Sequence, residues 1–348
     1  MSDLQVALIV AGALLVAGVW AYNKLQERAQ RKLAEKLFGG SQADVLLGGT
    51  VTEAGGDNAL ERREPVIDEA AADAVPPLPE AWADEMADCV IRIDFVDAIP
   101  ATSLWQAQAS WATGIGKPVH WLGLDHSLGH WRQLTERDGG RYPVVCATLQ
   151  LADRRGAVSA TDLGLFLDGV RDLVQRFAGL AELPSAEAVL SHAQAIDDAC
   201  VAVDMQLGIN VVPTNERSFT GRELRQVVEA AGMDLREDGL FHAADDAFAL
   251  TNLGDRFDAA ALDSLASQGV TLTLDVPCVA DAPAAFDRLL LLAHALTEGL
   301  DGILVDGQRN PLSGEMIGSI RAKIAELQQQ MIQFRIAPGG VRARRLFS

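Results

Sequence analysis

The chain has 348 residues, with 29 Lys and Arg against 48 Asp and Glu, a formal net charge of −19. That length leaves room for two domains besides a tail, and the acidic balance argues against a nucleic-acid-binding surface, which needs clustered Lys and Arg. The four cysteines, Cys89, Cys146, Cys200 and Cys278, are scattered without a CxxC pair, so neither a zinc ribbon nor a disulfide framework is indicated; they read as reduced cysteines half-buried in strands.

Residues 6–22, VALIVAGALLVAGVWAY, carry no charge. As a helix they span about 25 Å, close to the roughly 30 Å of a bilayer's hydrocarbon core. Trp20 and Tyr22 close the run, where aromatic belts form. Only MSDLQ precedes it, whereas Lys24, Arg28, Arg31, Lys32 and Lys36 follow it. A secretory signal has its positive charge before the apolar run. The spacing therefore predicts a transmembrane helix with the N-terminus outside and the rest of the chain in the cytoplasm; a cleaved signal and a buried core helix are the alternatives. Residues 23–37 read as a basic amphipathic helix at the membrane surface. From 39 to 88 Gly, Ala, Asp and Glu dominate, PPLP occurs at 76–79, and no apolar period persists. That composition predicts a flexible acidic linker.

From residue 89 the pattern becomes globular. Ile91, Ile93 and Phe95 alternate with Arg92 and Asp94 as a strand does. A helix is expected near 101–113, a strand at 145–151, a long helix at 162–177 and another near 185–198. The same order then returns. Val203, Met205, Leu207, Ile209 and Val211 alternate with polar or small residues, predicting a strand over 203–211. PTNER breaks it, and Thr220 and Glu223 have capping-box spacing at the start of a helix. Leu224, Val227, Val228 and Ala231 follow at helical spacing, and Gly232 ends the helix. A strand at 270–276, a long helix at 284–300 and a last helix at 312–333 complete the series. Met205 follows Ile91 by about 114 residues and Val270 follows Val145 by about 125, so the segments read as two degenerate copies of one α+β module with altered loops. Two unrelated α+β stretches are the alternative. Each copy is expected to be an antiparallel or mixed sheet with helices on one face and the other face open.

Little in the sequence suggests an enzyme or a cofactor. Gly114-Ile-Gly-Lys-Pro118 lacks the hydroxyl residue and glycine spacing of a P-loop. Asp125, His126 and His130 could hold a metal on a helix, but L-G-L-D-H-S-L-G reads as a turn. Neither Gly-x-Ser-x-Gly nor HExxH occurs. Trp105, Trp111, Trp121 and Trp131 are assigned to core rather than to a docking surface. In the last helix Ile317, Ile320, Ile324, Leu327 and Met331 form a packing stripe. The tail 335–348, with Arg335, Arg342, Arg344 and Arg345, is expected to be disordered.

The stretches I-N-V at 209–211, G-R-E-L at 221–224, A-G at 231–232, F-A-L-T-N-L at 248–253, G-V-T-L-T-L-D-V-P at 269–277 and G-I-L-V-D-G-Q-R at 302–309, in that order, resemble the C-terminal domain of the bacterial division protein ZipA family. The resemblance covers roughly residues 203–330. It implies a non-enzymatic, membrane-anchored protein without cofactor or metal, placed at the division septum of the inner membrane. Its implied partner is the C-terminal tail peptide of the tubulin-like protein FtsZ. Together with the readings above, the expected domains are an anchor at 1–22, a juxtamembrane and linker segment at 23–88, a degenerate copy at 89–199, an FtsZ-binding domain at 200–334, the last implied by the resemblance, and the tail at 335–348. The peptide would lie on the open sheet face, at Gln206, Leu240, Leu253, Asp255 and Thr273. The family has apolar residues where this chain has Gln206 and Thr273, and a basic one in place of Asp255. A scaffold for another division or envelope protein, or a membrane-tethered enzyme of unrecognised type, are the rival readings.

Overall fold

The computed structural model of the protein describes residues 75–215 and 217–348. The expected membrane helix, the basic helix at 23–37 and the linker up to residue 74 lie outside the described residues. Among those described, no helix is long and apolar enough to cross a membrane.

The first unit begins with β1 (Asp88–Pro100) and continues through α1 (Ala101–Ala112), β2 (Val119–Asp125), β3 (His130–Gln133) and β4 (Arg141–Gln150). A small hairpin of β5 (Ala152–Asp153) and β6 (Gly156–Ala157) leads to α2 (Ala160–Arg176), β7 (Gly179–Ala181) and α3 (Ala186–Val203). The strands form an antiparallel sheet in the order β3-β2-β4-β1-β7. Cys89, Ile91, Ile93 and Phe95 of β1 point into one core with Val145, Ala147 and Leu149 of β4. Ser159 starts α2 by accepting the Asp162 amide at 3.0 Å, and Leu163, Phe166, Leu167, Val170 and Leu173 bury its apolar stripe.

The second unit contains β8 (Gln206–Pro213), β9 (Phe219–Thr220), α4 (Gly221–Ala230), β10 (Asp234–Leu235), β11 (Phe241–His242), β12 (Ala249–Thr251), β13 (Ala266–Ser267), β14 (Val270–Asp275), α5 (Ala282–Leu300), β15 (Gly302–Val305) and α6 (Gly314–Gln333). Its main sheet is also antiparallel, in the order β10-β11-β12-β14-β8-β15. The capping box forms: Thr220 accepts from the Glu223 amide while Glu223 accepts from the Thr220 amide, each at 3.3 Å. The strand expected from Val203 starts instead at Gln206. Val203 closes α3, fully buried on the same helical face as Ile196, Ala199 and Cys200, and that packing outcompetes the alternating pattern.

The inner parts of the two units correspond in order. β1, β4 and β7 occupy the places of β8, β14 and β15, with α1, α2 and α3 in those of α4, α5 and α6. Their outer strands differ. In the first sheet β2 pairs with β4 and β3 lies outside it; in the second, β10, β11 and β12 form a meander whose last strand joins β14.

Two expectations are corrected. Residues 75–88, assigned to a flexible linker, are folded against the first sheet. Trp131 Nε1 donates to the Pro76 carbonyl and Thr148 Oγ1 to the Trp82 carbonyl, each at 2.8 Å, and Ala83 and Ala87 are buried. The first sheet is therefore covered on both faces. The polar average over 39–88 conceals the apolar residues Leu78, Trp82, Ala83 and Ala87 at its end. The tail is not disordered either. It forms α7 (Val341–Leu346), burying Ala343, Leu346 and Phe347 at i, i+3, i+4 spacing in the first core.

The packing stripe of α6 serves both cores. Ile317, Ile320 and Ile324 face the second, while Leu327 and Met331, with Phe334 and Ile336 beyond, face the first. The first unit is thus built from residues 75–203 and from about 327 onward, and the boundary expected at 334 cuts through its core. Gln328 sits at the crossing. Its amide donates to Val279 O at 2.7 Å and accepts from the Ala282 amide at 3.2 Å, fixing the start of α5. Cys89 and Cys146 lie in strands, but Cys200 is helical and Cys278 sits in a 3-10 turn; all four are free. Burial pushes the Cys146, Cys200 and Cys278 thiols up to about 12.

Candidate peptide-binding face

The second sheet turns Ile209 and Val211 of β8 and Leu272 and Leu274 of β14 into the core. The period of two sends their neighbours to the other face. Across the strands the register there runs Asp234, His242, Ala249, Thr273, Gly208. A second row joins Thr251, Thr271, Asn210 and Val305. At the end of β14, Asp275 pairs with Gln206. Small side chains occupy the middle of this face, and Gly208 has none. The result is a shallow floor on which an extended backbone can lie close to the strands. Thr271 Oγ1 bonds Asn210 Oδ1 at 2.6 Å, and Asn210 Nδ2 donates to Asp306 O at 3.1 Å, so one side of the floor is tied to the turn after β15.

The structure brings Gln206 and Thr273 onto this one face, in adjacent strands and neighbouring rows. Leu240 precedes the core residue Phe241 and so shares the side of His242; it is half-buried. Leu253 projects from the turn after β12, 39% exposed, with a left-handed backbone, φ 53°. Asp255 closes that turn through a bridge to Asn252 and is exposed. Thr271 pairs near the Leu253 turn and Asp275 near Gln206, so the candidate residues are spread along roughly 13 Å of strand. That length suits an extended peptide rather than a small molecule. Sequence reasoning missed Gly208, Ala249, Thr271 and His242, although the alternation that marked Gln206 also marks Gly208. His242 Nε2 lies 2.7 Å from Asp238, and Arg236 lies 2.5 Å from Asp246. With Asp234 and Asp255 these carboxylates give the rim an acidic character.

The other candidate chemistries resolve into structure. Lys117 of the P-loop-like stretch is buried, 2.5 Å from both Asp153 and the Gly156 carbonyl. Asp125 closes a turn by accepting from the Ser127 and Leu128 amides, while His126 and His130 are exposed. Among the described residues, no group of three or more His, Cys, Asp or Glu is placed to hold a metal ion. Trp121 is buried, bonded to Gln108, and stacks edge-on with Trp111, which meets Phe166; Trp131 is also buried, and Trp105 is half-buried.

Residues 205–323 match the family model described as ZipA, C-terminal FtsZ-binding domain. The chain is 26% identical over 180 residues to the cell division protein ZipA of Pseudomonas syringae pv. tomato, covering 49% of this chain and 61% of that protein. It is 26% identical over 205 residues to ZipA of Pseudomonas savastanoi pv. phaseolicola, covering 56% and 69%. For ZipA of Shewanella halifaxensis the figures are 27% over 160 residues, covering 43% and 52%. The matched part thus spans between 52% and 69% of these relatives. The motifs quoted from the sequence, the sheet that they build and the match over 205–323 agree, and the second unit is similar to the ZipA C-terminal domains.

Proposed function

We propose that the protein is a non-catalytic membrane tether in bacterial cell division, holding the C-terminal tail peptide of FtsZ on the open face of its second sheet. The observation that carries this reading is the small-residue floor of Gly208, Ala249 and Thr273 inside the segment that matches the FtsZ-binding family. An extended peptide there is held by backbone and apolar contacts from Leu240 and Leu253, with Gln206, Thr273 and Asp255 setting its preference. The uncharged run 6–22 supplies the anchor, with the N-terminus periplasmic and the folded units on the cytoplasmic side of the inner membrane, at the septum. Several tethers per filament add avidity through a raised local concentration. The related inner parts of the two sheets support the reading of a duplicated module, of which the second copy keeps the bare face.

Gln206 and Thr273 replace apolar contacts, each worth about 1.5–3 kcal/mol when buried, and Asp255 adds a negative charge. The face therefore binds the usual tail weakly and prefers a more basic one. Full-length protein in lipid nanodiscs, titrated with a labelled FtsZ tail peptide, tests this. Leu253→Asp removes binding with little change in the melt, because Leu253 is partly exposed and Asp tolerates its positive φ better than Leu does. Normal binding by that variant rejects this face as the site. Reporters fused at Met1 and Ser348 test the topology; a cytoplasmic Met1 with a periplasmic Ser348 rejects the tether.

A further inference from the structure

The first sheet has its own counterpart of the bare face, and the chain covers it. Val90, Leu122, Leu124, Trp131, Val144 and Cys146 look away from the helices, and Leu78, Trp82 and Ala83 of the segment entering the fold pack on them. The side chains of Trp131 and Thr148 hold this strap by donating to the carbonyls of Pro76 and Trp82. Those contacts read backbone, not side chains, and so serve any segment that follows the same course, irregular over 75–79 and turned over 80–82, where the Trp82 and Ala83 amides donate to Pro79 O. The strap does not fill the face. An open groove of about 610 Å³ remains beside it, bordered by Leu78, Val90, Arg92, Trp131 and Cys146.

We propose that this face is a second peptide-binding site, closed in cis by residues 75–82. In trans it takes a proline-bearing segment of a partner protein that ends in a turn as the strap does, with bulky apolar side chains and a carboxylate at the place of Glu80. The strap itself shows the ligand chemistry: three prolines, Leu78 and Trp82, with Arg342 3.9 Å from the Glu80 carboxylate and Arg345 Nη1 2.9 Å from the Glu80 carbonyl. Only the part before Asp84 lifts, because Asp84 is pinned by Arg342. The remaining groove favours a segment with larger side chains than Pro76 and Pro77 provide. A covalently linked occupant competes at an effective concentration on the order of millimolar, so the wild-type face excludes weak ligands and admits those that fit better than the strap.

The test uses the full-length chain in nanodiscs and a fluorescent synthetic peptide of sequence VPPLPEAW, residues 75–82. A Leu78→Ser/Trp82→Ser variant loosens the strap and binds the free peptide at least tenfold more tightly than wild type; adding Thr148→Val reverses most of the gain. Equal binding by wild type and the loosened variant overturns the proposal. Alkylation of Cys146, followed by mass mapping, gives an independent readout because that thiol lies beneath the strap. Should the double variant melt early, Leu78→Ser alone removes one strap side chain and leaves both donors of the face in place. In either variant Cys146 reacts several-fold faster than in wild type, and excess peptide restores protection. Peptide that leaves Cys146 unprotected in both overturns the proposal as well. Neither readout involves the second sheet, so this result is independent of FtsZ binding there.

Discussion

Arg342 and Asp84 lie 258 residues apart in sequence and meet through a forked ion pair, Nη2 to Oδ1 at 2.9 Å and Nε to Oδ2. Beside it Arg345 reaches Asp88 at 2.5 Å. The two carboxylates are buried, with side chains 5% and 0% exposed. The acidic entry to the first unit and the basic tail are therefore a matched pair, and each is ordered through the other. Breaking such a pair leaves a charge without its partner. Asp84→Ala is expected to cost about 3 kcal/mol, measured by urea unfolding of the full chain. The double variant Asp84→Leu/Arg342→Met costs less than Asp84→Ala alone. A larger loss in the double variant contradicts this account of the pair.

Gly339 gives the tail its approach. Its φ is +64°, and a Cβ there collides with the Ala280 backbone. Its amide donates to Pro277 O at 2.9 Å. Gly339→Ala carries a backbone penalty of about 1–2 kcal/mol from the left-handed conformation, besides the collision. Trypsin is expected to cut the variant after Arg342, Arg344 or Arg345 well before it cuts wild type. Equal cleavage rates place the tail's order elsewhere.

Arg154 joins the two units. From the β5–β6 turn it donates to Asp204 at 2.9 Å and to Asp275 at 2.5 Å, and those bonds raise its pKa. Charge-assisted bonds of this kind are worth about 1.5–3 kcal/mol before screening. The side chains are 22% and 33% exposed, so Arg154→Ala is expected to cost about 1–2 kcal/mol. The urea transition broadens or splits as the units unfold less cooperatively. A parallel shift with unchanged slope assigns Arg154 a local role only.

Stability is expected to fall on mild acidification. Burial, with Arg345 nearby, lowers the pKa of His120 from 6.5, and burial lowers that of His192. The unfolded chain then binds protons near pH 6.5 that the fold refuses. The stability these histidines contribute is present above pH 6.5 and lost as pH falls through their lower folded values. The urea midpoint at pH 5.5 should lie below that at pH 7.5, and His120→Gln/His192→Gln should shrink the difference. Asp88, raised by burial, acts in the opposite sense near the carboxylate range. An unchanged difference in the double variant rules the histidines out.

What was legible in the sequence depended on short-range physics. The capping box at Thr220 and Glu223 needs only four residues, and it forms. Alternation put Gln206 and Thr273 on one face, where the register places them. The strap and the tail were illegible for the opposite reason. Their apolar residues are few, and they order by meeting partners far away in sequence, such as Trp131 with Pro76, 55 positions apart, and Arg342 with Asp84, 258 apart. The stripe on α6 was legible as a stripe, but nothing in its period says that Ile324 and Leu327 belong to different cores. The misplaced start of β8 shows two patterns competing for Val203, with the helix taking it.

Because the chain leaves the first unit after Val203 and rejoins it near Leu327, the second unit is held at both of its ends. A force that draws a ligand away from the second sheet is divided between two covalent connections. Neither can be extended without shearing a buried helix, α3 on one side and the end of α6 on the other. A module hung on a single linker would swing toward the pull and peel from one end. This one resists as a bracket does, its open sheet face joined through two connections to the unit that carries the chain toward its N-terminus.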